Sequence, residues 1–148
     1  MICPICGSKG LNTTNSRTTR SATQTWRRKS CKVCHCSITT YEKPDMGWLS
    51  IKNTHGNSLN AYKKGVLYKS IITALDDKEL AKIDVDNLID SIEQKIISTR
   101  KTIIEKNELI KIVLNTIKPV SLSAYIKYLS SHMALDNKRQ LNNILKDI

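Results

Sequence analysis

Residues 3–7 read Cys-Pro-Ile-Cys-Gly and residues 31–35 read Cys-Lys-Val-Cys-His. Two C-x-x-C pairs separated by so short a stretch can close a tetrahedron of thiolates around one Zn²⁺, at Zn–S distances of about 2.3 Å, with no position left open for substrate. The spacing predicts a zinc ribbon with one structural metal held by Cys3, Cys6, Cys31 and Cys34. Gly7 supports it, since a knuckle turns tightly behind its second ligand and glycine accepts positive φ there. In the second knuckle His35 stands at that place. The competing reading is two disulfides or buried free thiols. No apolar signal stretch opens the chain, so the expectation is a reducing cytosol, where paired cysteines mean metal. Cys36 is the odd thiol; it can stand in for Cys34, but C-x-x-C is the commoner ligand spacing, and Cys36 is read as spare.

A chain of 148 residues allows one ordinary domain or two small ones. The cysteines and the charge both favour two. Of the formal charge of +11, residues 1–43 hold eight basic side chains against Glu42 alone. So compact and positive a module implies a polyanionic partner. Its densest part is Trp26-Arg27-Arg28-Lys29, with Arg17 and Arg20 on the outgoing arm. Arginine forks bind phosphates or guanine edges, and Trp26 can stack or pack beneath them. The bland alternative is a solvated basic surface. Charge alone does not separate duplex DNA from RNA.

Pro44-Asp45-Met46-Gly47 is the punctuation of a linker, placed over 44–48. Trp48–Lys52 reads as a strand and Asn53–Ser58 as a turn into a return strand. Helical spacing follows from Tyr62 to Leu75 and from Val85 to Ile96, the latter capped by Asp84. A third helix is expected over Ile104–Lys118, closed by Pro119, and a fourth over Ser121–Leu135, capped by Ser121 or Ser123. The polar tail 136–148 carries Leu141, Ile144, Leu145 and Ile148 at amphipathic spacing. The fold class is therefore α+β: a small β zinc ribbon over 1–43, then a mainly helical domain with a short hairpin over 49–135.

No stretch is long and apolar enough to span a membrane. Nor does a catalytic constellation emerge. The three histidines are scattered, and Asp84, Asp86, Asp90 and Glu93 are expected on solvent faces. No Gly-rich P-loop is present. Lys52 on the strand and Lys63 or Lys64 opening the first helix have the placement to meet a nucleotide's phosphates, with solvated surface lysines as the alternative.

The chain resembles a known family in Cys3-Pro4-Ile5-Cys6, Asn15-Ser16-Arg17, Trp26 to Cys31 and Thr39-Thr40-Tyr41-Glu42. Together these are similar to the NrdR-type transcriptional repressors of ribonucleotide reductase genes, which join a zinc ribbon to an ATP-cone. Ile51-Lys52, Tyr62, Ile72 to Leu75 and Ala124 to Ser130 extend the likeness over nearly the whole length. Trp26 and Lys29 replace the outer two of the family's four arginines, and Val66 stands where the cone carries a lysine. The resemblance implies a non-enzymatic protein of the bacterial cytoplasm and nucleoid that binds double-stranded operator boxes. It also implies a cone that takes ATP or dATP as effector and self-associates into homo-oligomers. Two other readings share these features: an RNA- or ribosome-associated zinc ribbon, and an accessory protein that docks on the reductase through its cone.

Overall fold

The computed structural model describes residues 1–18, 23–53 and 58–132. Arg20, the turn around His55-Gly56 and the proposed helical tail 136–148 lie outside the described residues. The chain divides into two compact units, Met1–Asp45 and Met46–Ile148.

The first unit is a three-stranded antiparallel sheet in the order β1-β2-β3, with β1 at Leu11–Thr18, β2 at Thr25–Cys31 and β3 at Ser37–Glu42. β-branched and alternating polar residues suit such an open ribbon, in which the described residues form no second layer over either face. The first knuckle precedes β1 and the second joins β2 to β3, so the sheet register fixes where the two cysteine pairs meet. Leu11 pairs with Cys31, and Ser30 with Ser37.

Among the described residues, the second unit places a small sheet beside five α-helices. Its order is β5-β4-β6: β4 (Ser50–Lys52) pairs antiparallel with β5 (Leu59–Ala61) and parallel with β6 (Ile103–Glu105). Three helices lie between β5 and β6, namely α1 (Lys64–Ala74), the single turn α2 (Asp77–Leu80) and α3 (Val85–Ser98). The chain then continues into α4 (Lys106–Ile117) and α5 (Leu122–His132). Asp84 caps α3 by accepting from the Asn87 amide at 3.1 Å, and Ser121 caps α5 by accepting from the Ala124 amide at 3.0 Å. Asp76 and Glu79 form a reciprocal capping box on α2.

Three expectations change. Met46, assigned to the linker 44–48, is buried in the second unit's core at the start of a 3-10 turn, Met46–Trp48, and the strand begins at Ser50. The helix expected from Ile104 starts at Lys106, because Ile103–Glu105 is recruited as a parallel strand with Ile104 fully buried beneath it. Glu93 does not face solvent. It is buried on α3 beside Leu88, Ile89, Ile92 and Ile96, accepts the Tyr62 hydroxyl at 2.9 Å, and takes the Lys64 ammonium at 3.2 Å. A buried carboxylate needs such partners.

Candidate metal centre and nucleic-acid face

The two knuckles share one backbone plan. In the first, the Cys3 amide donates to the Ser8 carbonyl at 2.8 Å and the Gly7 amide to the Cys3 carbonyl at 2.9 Å. In the second, the Cys31 amide donates to the Cys36 carbonyl at 3.0 Å and the His35 amide to the Cys31 carbonyl at 3.1 Å. Gly7 has φ +71° and His35 has φ +57°. The left-handed position is thus required in both, and in the second a non-glycine residue carries it.

This plan brings Cys3, Cys6, Cys31 and Cys34 together, with their sulfurs all within 4.8 Å of one another. A tetrahedral zinc with Zn–S of about 2.3 Å needs sulfur–sulfur edges of about 3.8 Å. The Cys3–Cys34 edge is 3.7 Å and the Cys6–Cys31 edge is 3.6 Å. The donor set therefore fits zinc. The Ser8 hydroxyl lies 3.2 Å from the Cys31 sulfur, and the Val33 amide donates to that sulfur at 3.4 Å. That hydroxyl, followed by the backbone amides of Cys34 and Val33, holds the Cys31 thiol down to about 5, so it meets a metal as thiolate. Cys36, read as spare, has its sulfur 3.2 Å from that of Cys34 and 3.4 Å from that of Cys3.

The ribbon's charge is sorted by strand alternation. Residues directly opposite in an antiparallel pair share a face. Trp26 pairs with Arg17 on one side and Tyr41 on the other, while Arg28 pairs with Asn15 and Thr39. Arg17, Trp26, Arg28 and Tyr41 therefore stand on one face, where Arg17, Arg28, Thr39 and Tyr41 are exposed. Arg27 and Lys29 point the other way, opposite Thr40 and Ile38, and all four of these are only partly exposed. On that face the Arg27 guanidinium is engaged by Glu42, with Nε 2.9 Å from Oε1 and Nη2 3.0 Å from Oε2. Sequence proximity had grouped Arg27 with Arg28; the two-residue period of the strand separates them.

In the second unit a cleft of about 590 Å³ opens beside β4, β5 and α1, with Tyr62, Lys63, Val66, Lys106, Tyr128 and His132 among its lining. Of the three lysines singled out from the sequence, Lys63 lines this cleft. Lys64 is turned to α3, where its ammonium lies 3.2 Å from both Asp90 and Glu93. Burial alone would lower its pKa, but the two carboxylates outweigh that and raise it. Lys52, on β4, is half-buried opposite Leu59 and Glu105 in the sheet register. Lys106 was missed in the sequence, where it reads as one more charge inside a helix. Only the strand-to-helix junction at 105–106 turns it to the cleft. His132, stacked 4.3 Å from Tyr128, has its pKa lowered by burial and then by the Lys106 charge.

Residues 1–42 match the family profile described as "Transcriptional repressor NrdR-like, N-terminal domain". Over the whole chain, proteins named "Transcriptional repressor NrdR" are similar. That of Polaromonas sp. (strain JS666 / ATCC BAA-500) is 26% identical over 148 residues, covering 100% of this chain and 99% of its own. That of Variovorax paradoxus (strain S110) is 25% identical, with both chains covered in full. The protein of Halorubrum lacusprofundi is 24% identical over 140 residues, 95% of this chain and 86% of its own. The name describes a non-enzymatic role. The ribbon thus matches that profile, and the chain is similar end to end to proteins named as NrdR repressors.

Proposed function

We propose that the protein is a zinc-dependent, DNA-binding transcriptional repressor whose ribbon meets the duplex through the face of Arg17, Trp26, Arg28 and Tyr41. The observation that carries this is the cross-strand register. It places two exposed arginines beside two aromatic rings on an open face, while Glu42 engages Arg27 on the other. Arginine forks can take phosphates or base edges there, and the rings limit their freedom. Zinc supplies the cross-link that fixes the two knuckles, and through them the strands that carry this face.

A finer reading takes the regulated genes, from the family resemblance, as those of ribonucleotide reductase, and takes ATP or dATP as an effector bound in the second unit's cleft. Lys63 and Lys106 offer positive charge to phosphates, and Tyr62, Tyr128 and Val66 offer an apolar wall to a base. The effector acts by binding one homo-oligomeric arrangement of the cones better than another, because equal affinity shifts nothing. A mobility shift on duplex from upstream of a reductase gene tests both levels. Binding that needs zinc and changes between ATP and dATP supports the whole reading. Binding indifferent to nucleotide leaves the repressor and removes the effector. No binding to any duplex removes the repressor.

A further inference from the structure

The two knuckles are related by more than their backbones. Ser8 and Cys36 occupy the same place in each, since each carbonyl closes its knuckle by accepting from the first cysteine's amide, at 2.8 and 3.0 Å. Their side chains repeat the relation. The Ser8 oxygen lies 3.4 Å from the sulfur of Cys6, the second ligand of its own knuckle, and 3.2 Å from that of Cys31, the first ligand of the other. The Cys36 sulfur lies 3.2 Å from Cys34 and 3.4 Å from Cys3, which are the corresponding two ligands. The site is thus twofold in pattern, with a hydroxyl at one equivalent position and a thiol at the other.

That single departure changes the chemistry. A serine hydroxyl can donate a hydrogen bond to a zinc-bound thiolate, but it does not ligate zinc in such sites; a cysteine thiol can do either. We propose that Cys36 is a reserve zinc ligand, able to replace Cys34, the second ligand of its own knuckle. Its sulfur already touches two ligand sulfurs, and a shift of the order of the 3.2 Å separation from Cys34 carries it to that vertex. On taking the vertex, Cys36 releases its proton to solvent and its thiolate forms the Zn–S bond that Cys34 no longer makes. Both Cys34 and Cys36 are partly exposed, so the exchange is not closed off by packing. The first knuckle has no such reserve, because its equivalent position is Ser8.

The inference rests on the ribbon holding zinc, and the test separates the two. Zinc per full-length chain is measured by metal analysis, with cobalt substitution reporting four-sulfur tetrahedral coordination. The parent is expected to hold about one zinc. Cys34→Ser is expected to keep about one zinc and the four-sulfur cobalt spectrum, whereas Cys6→Ser, its equivalent in the other knuckle, loses the metal. Cys34→Ser with Cys36→Ser is expected to lose it as well. Transplanting the reserve by combining Cys6→Ser with Ser8→Cys should restore zinc to the first knuckle. Because each variant is read against its pair, failure to fold without zinc is itself the signal of a lost ligand. If Cys34→Ser loses zinc as fully as Cys6→Ser while the parent holds it, Cys36 is no ligand. A parent that holds no zinc overturns the metal centre itself.

Discussion

Among the described residues the ribbon buries only Cys3 and Cys31 of its apolar side chains, both of them in the metal centre. The second unit buries a continuous cluster that includes Leu49, Ile71, Ile89, Ile92, Ile96, Ile104, Val113 and Ile117. The first unit is therefore a fold without an apolar core, and the second a fold with one. Below about 40 residues a chain rarely removes enough apolar surface from water to offset its conformational entropy, so a small module needs a cross-link. Freed from core packing, the ribbon spends its side chains on two polar faces. The second unit's α1, α4 and α5 each bury one side in the core and still supply polar side chains, Ser70, Lys106 and His132 among them, to a cleft.

The largest effect expected from this contrast is metal removal. Structural zinc contributes apparent binding free energies of about 10–16 kcal/mol, so a chelator should unfold the ribbon while the helices of the second unit persist. Heteronuclear NMR would show amide signals of 1–45 collapsing and those of 58–132 holding. Loss of both sets together would mean that the units do not stand on separate supports. The converse comes from Ile92→Ala on α3. With Ile92 fully buried, truncation should cost about 2–5 kcal/mol in denaturant unfolding of the second unit, with zinc content unchanged.

Smaller, and confined to the second unit, is the loss of Lys64. Lys64→Met should leave Glu93 buried with Tyr62 as its remaining hydrogen-bond partner among those described, and lower stability by about 1–3 kcal/mol. An unchanged denaturation midpoint would mean that the Tyr62 bond alone satisfies the carboxylate. The smallest effect is protonic. His132 has a lowered pKa in the folded state, so the native protein binds its proton less readily than the unfolded chain. Its contribution is then present above the unfolded value of about 6.5 and lost as pH falls through the folded one. His132→Gln should flatten that acid limb of the unfolding curve, and an identical pH profile in both proteins would assign the limb to other groups.

How much could be read from the sequence differed between the units for the same physical reason. The clustering of Cys3, Cys6, Cys31 and Cys34 was legible because a zinc site demands a residue type at a spacing, which needs no knowledge of packing. Asp84 and Ser121 announced their helices because caps are local. Three features depended on contacts distant in the chain, and these were not legible. Ile103–Glu105 continues an apolar helical pattern and becomes a strand only because β4 offers it an edge. Met46 stands between Pro44-Asp45 and Gly47 and looks like linker, but the core reaches back to it. Glu93 lies on the acidic side of α3 in projection and is buried only because Tyr62 and Lys64 close over it. In the ribbon, the division of Arg27 from Arg28 was implicit in strand alternation and became definite once β2 had neighbours on both sides.

The central claim is that one face of the ribbon meets the duplex, and comparing Arg28→Ala with Arg27→Ala tests it most directly. Fluorescence anisotropy with a labelled duplex from upstream of a reductase gene, in the zinc-loaded full chain at ~150 mM salt, gives both affinities. Arg28→Ala is expected to lose about 1–3 kcal/mol of binding, roughly a five- to 150-fold weaker Kd, with Arg27→Ala close to the parent. Equal losses in the two variants, or a larger loss in Arg27→Ala with its zinc retained, would contradict the assignment and move the contact to the face shared with Lys29 and Thr40.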